Sequence, residues 1–99
     1  MAHVIYAERA LLDLERLTEF LRESEPLAAE ETSGLIVQAI DVLRNHPLIG
    51  RPAEAGLREL VISRGESGYL ALYRFRESSD AVVVLAIRHQ RESGYAAAE

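Results

Sequence analysis

The chain has 99 residues, 48% of them hydrophobic and 27% charged, with no cysteine and a formal net charge of −5; these totals describe one globular domain with room for a single core. The lack of cysteine excludes disulfides, a thiol nucleophile and cysteine-bound zinc, and no run of about 18 apolar residues is present to span a membrane. The N-terminus, Met1-Ala-His-Val-Ile-Tyr6, lacks the basic region and long apolar core of a secretory signal, so a cytoplasmic location is expected.

Charge is unevenly divided. Residues 1–49 hold nine acids against four arginines, and residues 50–99 hold seven of each. All 11 basic residues are arginine. An acidic chain without a basic field does not bind nucleic acid by bulk electrostatics, so any phosphate contact is expected to be local.

In chain order, His3–Tyr6 is a short apolar strand. From Glu8 to about Ser24, Ala10, Leu14, Leu17 and Leu21 recur at helical spacing, with Leu11 and Phe20 widening the stripe. Asp13, Glu15, Arg16, Glu19, Arg22 and Glu23 fill the opposite face. Pro26 breaks the pattern, because proline disfavours helix in the residue before it yet tolerates a helix start. A second helix, from about Leu27 to Asn45, buries Ala29, Ile36, Ala39, Ile40 and Leu43. Gly34 inside it costs about 1 kcal/mol relative to alanine, for which close approach of another helix is the expected reason. The two helices form a hairpin with an acidic outer surface.

His46–Gly56 is a connector rich in proline and glycine. Leu57–Arg64 is a second strand, Gly65-Glu-Ser-Gly68 a hairpin turn, Tyr69–Arg76 a third strand and Asp80–His89 a fourth. Strict alternation puts Tyr69, Ala71, Tyr73 and Phe75 on one face of the third strand and Leu70, Leu72, Arg74 and Arg76 on the other. In the fourth it separates Val83, Leu85, Ile87 and His89 from Val82, Val84, Ala86 and Arg88. The order β-α-α-β-β-β, a helical hairpin packed on a small, mostly antiparallel sheet, is an α+β fold that fills residues 1–99 as a single domain.

The side chains able to do chemistry gather at the ends of the last two strands: Arg74, Arg88, His89, Arg91, Glu92 and Tyr95. Metal-free phosphodiester cleavage needs a proton acceptor, a proton donor and positive charge on the developing phosphorane. His89 or Glu92 could accept, Tyr95 or His89 could donate, and the arginines could stabilise charge. Strand-end packing and ion pairs with acids such as Glu59 or Glu77 are the more ordinary use of the same residues, and the catalytic reading stands beside it as the alternative. The three histidines lie far apart without metal-ligand spacing. The serines lack a nucleophile elbow, and with no lysine there is no G-x-x-x-x-G-K-[ST] loop. No metal and no cofactor are expected.

The element order, the His46-Pro-x-x-Gly-Arg-Pro52 connector, Leu57-Arg-Glu-Leu60, Gly68-Tyr-Leu-Ala-Leu-Tyr-Arg74 and Ile87-Arg-His-Gln-Arg91 together resemble the RelE/ParE family of bacterial type II toxins over nearly the whole chain. The resemblance implies a toxin neutralised by a cognate antitoxin, a disordered segment of which folds over it. RelE-like members cleave messenger RNA on the ribosome through basic residues of the sheet and a C-terminal tyrosine; ParE-like members inhibit DNA gyrase and lack that set. Here Leu70 stands where several ribonuclease members carry arginine, lysine is absent, and Tyr95 matches the C-terminal tyrosine only loosely. The acidic total also suits docking on ribosomal RNA poorly.

The ParE-like reading is therefore the expectation. It describes a gyrase inhibitor without catalytic residues that meets its target through Arg74, Arg76, Arg88, His89, Arg91 and Tyr95, and its antitoxin through Leu70 and Leu72. The alternatives are a ribosome-dependent endoribonuclease using Arg74, His89, Arg91 and Tyr95, and a non-toxic member that only binds its antitoxin.

Overall fold

The computed structural model describes residues 1–64 and 67–95. Among them the strands and helices follow as β1 (His3–Tyr6), α1 (Glu8–Ser24), α2 (Pro26–Asp41), β2 (Arg51–Pro52), β3 (Arg58–Arg64), β4 (Ser67–Arg76) and β5 (Ala81–His89). They build one sheet in the order β1-β5-β4-β3-β2, with β1 parallel to β5 and the other pairs antiparallel. Among the described residues no helix is long and apolar enough to cross a membrane.

The chain reverses between the helices at Glu25. Its N–H donates to the Leu21 carbonyl at 2.6 Å and its own carbonyl accepts from Ala29 at 3.0 Å, so one residue ends α1 and starts α2. Pro26 then takes the first helical position, where a missing N–H is harmless. The last turn of α2 tightens into a short 3₁₀ stretch, Val42–Arg44.

The connector holds more structure than its composition suggests. Arg51–Pro52 pairs with Arg58–Glu59 as an edge strand, a place where proline breaks no ladder. The loop before it is pinned from inside. The Tyr73 hydroxyl donates to the Pro47 carbonyl at 2.8 Å and accepts from the Gly50 N–H at 2.9 Å, while Arg58 Nη1 donates to the carbonyls of Leu48 and Gly50 at 3.1 and 2.8 Å. The turn expected at Gly65–Glu66 lies outside the described residues.

Both helices cover one face of the sheet. Val4 and Tyr6, Leu60 and Ile62, Tyr69, Ala71, Tyr73 and Phe75, and Val82, Val84 and Ile87 pack there with Ala10, Leu14, Leu17, Ile36, Ile40 and Leu43. Strict alternation fails in β5. Leu72 pairs with Ala86 and Tyr73 with Val84, which leaves Leu85 as the extra residue of a β-bulge. Side-chain phase therefore flips at Leu85. Val82 and Val84 join Ile87 and His89 on the helix side, and Val83, Ala86 and Arg88 face away. The expected grouping of Val83 with Ile87 and His89 is corrected accordingly.

The polar face of α1 is corrected too. Leu11 and Phe20 point outward, at 52% and 79% exposure, whereas Asp13 is 1% exposed. The reason lies in the sheet edge. In register β1 reaches only to Val84, so the β5 backbone beyond it has no strand on that side. Asp13 Oδ2 accepts the Ile87 N–H there at 2.9 Å, replacing a strand partner that does not exist.

Gly34 does not mark a close helix approach, since a Cβ placed on it meets nothing within 4 Å. Gly34→Ala is expected to stabilise the isolated chain by about 0.5–1 kcal/mol, through reduced unfolded-state entropy and better helix propensity. A urea titration checks this, and unchanged or lower stability would contradict the open surroundings of this residue.

Candidate functional site

The face of the sheet opposite the helices carries its residues in rows set by strand register. Arg51, Glu59, Leu72 and Ala86 form one row, and Val61, Leu70 and Arg88 the next. On the other side of the first row lie Arg74, Val83 and Ile5, then Arg76, Ala81 and His3. The chain beyond β5 folds back over the first two rows. The Tyr95 hydroxyl donates to Glu59 Oε2 at 2.5 Å, and Arg51 donates to Glu59 Oε1 through Nε and Nη2 at 2.9 and 2.5 Å. The Arg88 guanidinium lies 5.1 Å from the centroid of the Tyr95 ring and donates to the Glu92 carbonyl at 2.6 Å. Leu70, expected to offer antitoxin-docking surface, is 5% exposed beside Arg88, while Leu72 is half-buried.

His89 leaves β5 on the helix side. Its ring meets Tyr69 edge-on at 5.2 Å, and its Nδ1 accepts the Arg91 N–H at 3.1 Å. Glu92 Oε1 accepts the His89 N–H at 2.9 Å, and the same carboxylate takes two bonds from Arg16 at 2.9 and 3.3 Å. Arg16 also reaches the buried Asp13 at 3.5 Å. Phe20, Leu21, Tyr69, His89 and Arg91 help line a cleft of about 510 Å³ between α1 and the turn after β5.

The residues expected to act together thus fall into two groups on opposite sides of β5. Arg74, Arg76, Arg88 and Tyr95 lie on the open face; His89, Arg91 and Glu92 lie on the α1 side. Two residues central to the open face, Arg51 and Glu59, were not singled out as a site from the sequence. The spacing of Glu59 and Val61 two residues apart on β3 hints at a face, but the pairing that brings Arg51 and Glu59 to Tyr95 exists only in the folded sheet. Among the described residues of this face, the carboxylate of Glu59 is the proton acceptor nearest the tyrosine, and both its oxygens are engaged.

Electrostatics bind this cluster together. Burial pushes the Glu59 carboxyl upward, but the bonds from Tyr95 and Arg51 and the charges of Arg51 and Arg88 outweigh it and hold it below the usual carboxylate range. Burial, and then the bond and charge of Glu59, push the Tyr95 phenol well above its usual 10. A carboxyl group with a depressed folded pKa stabilises the fold above its unfolded value near 4.3 and loses that contribution as pH falls through the folded value. The phenol, being raised, contributes fully below about 10 and loses its share at higher pH. Tyr95→Phe is therefore expected to lower stability by about 1–2 kcal/mol at pH 7 and by less at an acidic pH low enough to protonate Glu59. Urea titrations at the two pH values check this; a loss independent of pH would mean the bond to Glu59 contributes nothing.

Folding also sorts the charge. Residues 8–41, the helical layer, hold nine acids and three arginines, whereas the open face carries Arg51, Arg74, Arg76 and Arg88 against Glu59. The overall −5 thus hides a face of the opposite sign, and the expectation of a chain without a basic field is corrected.

A helical hairpin packed on one face of a five-stranded, mostly antiparallel sheet is a fold shared with solved ParDE and RelBE toxin–antitoxin systems. The model of the ParE toxin of the type II toxin–antitoxin system parDE matches residues 4–94, and the chain belongs to this family. It is 37% identical to the toxin RelE3 of Caulobacter vibrioides over 92 residues, covering 93% of this chain and 98% of that protein. The toxin RelE1 of the same organism is 37% identical over 76 residues, covering 77% and 82% respectively. Among solved structures, the chromosomal ParDE system from P. aeruginosa superposes with a TM-score of 0.75 at 22% identity, covering 90% of this chain and 96% of that one. The intact E. coli RelBE toxin–antitoxin complex gives a TM-score of 0.58 at 16% identity, covering 93% and 100%. The chain is a type II toxin of the ParE/RelE family.

Proposed function

We propose that this toxin acts in the cytoplasm by binding DNA gyrase, without cleaving RNA, and that a cognate antitoxin neutralises it. The observation that carries the target assignment is the split of the ribonuclease candidates: the bulge at Leu85 and the alternation beyond it send His89 toward α1, with Arg91 on the same cleft, while Arg74 and Tyr95 lie on the far side of the sheet. General acid–base catalysis needs its groups within hydrogen-bond reach of one reacting phosphate, and these four do not share a face. The match to the ParE toxin model over residues 4–94 supports the same branch.

In this reading the open face, with Arg74, Arg76, Arg88 and Tyr95, meets the target as a binding surface. An antitoxin partner is supported by the toxin–antitoxin systems among the structural neighbours. Because Leu70 is buried, the antitoxin contact is better placed in the cleft edged by the exposed Phe20 than on the Leu70/Leu72 face.

Purified toxin is expected to block gyrase supercoiling and to leave ribosome-bound messenger RNA intact; mRNA cleavage without an effect on supercoiling would sink the proposal. The ribonuclease reading is supported by the juxtaposition of Glu59, Tyr95 and two arginines on the open face and by the likeness to relatives named RelE toxins. It requires Glu59→Gln and Tyr95→Phe to abolish cleavage while His89→Ala does not.

A further inference from the structure

Arg74 and Arg76 differ from the other arginines of the open face. Arg51 is held by Glu59, and Arg88 by the Glu92 carbonyl and the Tyr95 ring. Arg74 and Arg76 are exposed and, among the described residues, make no hydrogen bond or ion pair. Two residues apart on β4, they leave the same face roughly 6.6 Å from each other.

The parallel pairing of β1 adds a third group. His3, Ala81 and Arg76 share one register row, and Ile5, Val83 and Arg74 the next. Ala81, small and 4% exposed, lies between Arg76 and His3, one strand spacing of about 4.8 Å from each. The acids closest in chain or register are engaged or turned elsewhere. Asp80 lies 3.8 Å from the N-terminal ammonium, Glu59 is occupied by Tyr95 and Arg51, and Glu77 lines a hollow with Phe75 and Arg58.

We infer that Arg74, Arg76 and His3 form a phosphate-backbone site for DNA, by which the toxin grips the nucleic acid held by its target enzyme. The inference rests on the gyrase reading, since that target brings DNA phosphates to its own surface. Guanidinium forks match phosphate oxygens bidentately. The acidic helical layer on the opposite side orients the molecule, so that this corner leads toward a polyanion. Release of condensed counterions makes even two or three phosphate contacts favourable on DNA, a gain that an acidic peptide, which condenses no such atmosphere, does not offer.

A fluorescein-labelled duplex of roughly 30 base pairs, titrated with the purified chain and followed by anisotropy, is expected to bind at about 50 mM salt and to weaken toward 200 mM with a log–log slope of about −2 to −3, as two or three phosphates require. R74A/R76A loses about tenfold or more in affinity and flattens that slope, whereas R74K/R76K keeps the slope because the charge remains. The thermal midpoint of both variants stays at the parent value, because neither side chain is packed or paired. No binding at low salt, undiminished affinity of R74A/R76A, or tighter binding to an RNA duplex or an acidic peptide of equal charge overturns the site. Supercoiling assays keep the two readings apart. A chain that binds DNA but leaves gyrase active overturns the target and not the site, while gyrase inhibition without DNA binding overturns the site alone.

Discussion

Asp13→Ala is expected to lower the unfolding free energy by about 3 kcal/mol at pH 7, the joint effect of a lost charge-assisted hydrogen bond and a buried N–H left without a partner. The site is closed: Asp13 is 1% exposed, and it sits where β1 has ended and the β5 edge would otherwise be bare. Its acceptor role is what counts. Asp13→Asn keeps an oxygen for the Ile87 N–H and is expected to cost about 1 kcal/mol, most of it from exchanging a charged acceptor for a neutral one. Urea titration measures both losses, and hydrogen exchange at Ile87 localises the effect. A loss below about 1 kcal/mol for the alanine variant would mean that water reaches the orphaned amide. Function should follow stability here, because β5 beyond the bulge carries Arg88 and the Glu92 turn, and Arg16 ties that turn back to Asp13.

Gly50→Ala should be nearly as damaging. A Cβ at this residue falls 2.6 Å from both Cε1 and the hydroxyl of Tyr73 and 3.0 Å from the Glu59 carbonyl. Tyr73 is fully buried and cannot swing away, and its hydroxyl is held by Pro47 and Gly50. Overpacking of this kind destabilises by about 1–3 kcal/mol, with the loss of the Tyr73 bonds added where the ring yields. Tyr73→Phe alone leaves the Gly50 N–H and the Pro47 carbonyl unpaired and is expected to cost about 1–3 kcal/mol. Because the two changes strike the same contact, the double variant should lose at least about 0.5 kcal/mol less than the sum. Strict additivity in that cycle would show that the methyl group and the hydroxyl do not compete for the same space.

Much of the fold follows from local pattern alone. Helical spacing of Ala10, Leu14 and Leu17, the proline after Glu25, and the β-branched run from Ala81 specify two helices and the long strands within a few residues, because each rests on periodicity and turn chemistry inside one segment. The His46-Pro-x-x-Gly-Arg-Pro52 connector carries a family signal, and the structure supplies its physical reason. Gly50 leaves room for the Tyr73 ring, and Pro52 sits on an edge strand.

The site was less accessible. Arg74, Arg76, Arg88 and Tyr95 do share a surface, yet Arg51 and Glu59 come to it only through pairing between β2, β3 and β4. Strand phase read from alternation also fails past Leu85, since a one-residue bulge is invisible to a period of two. Asp13 looked like one more acid on a solvated helix face, because nothing in α1 reveals that β1 stops short of Ile87.

Residue types and their spacing were thus sufficient for the class of fold, the layer order and the family, all of which depend on segments read one at a time. Tertiary structure decided which face each functional side chain serves, why an acidic chain presents a basic surface, and why His89 and Tyr95 do not meet. Those outcomes depend on register, on a single bulge and on where one edge strand ends, and these are set by contacts between residues far apart in the chain.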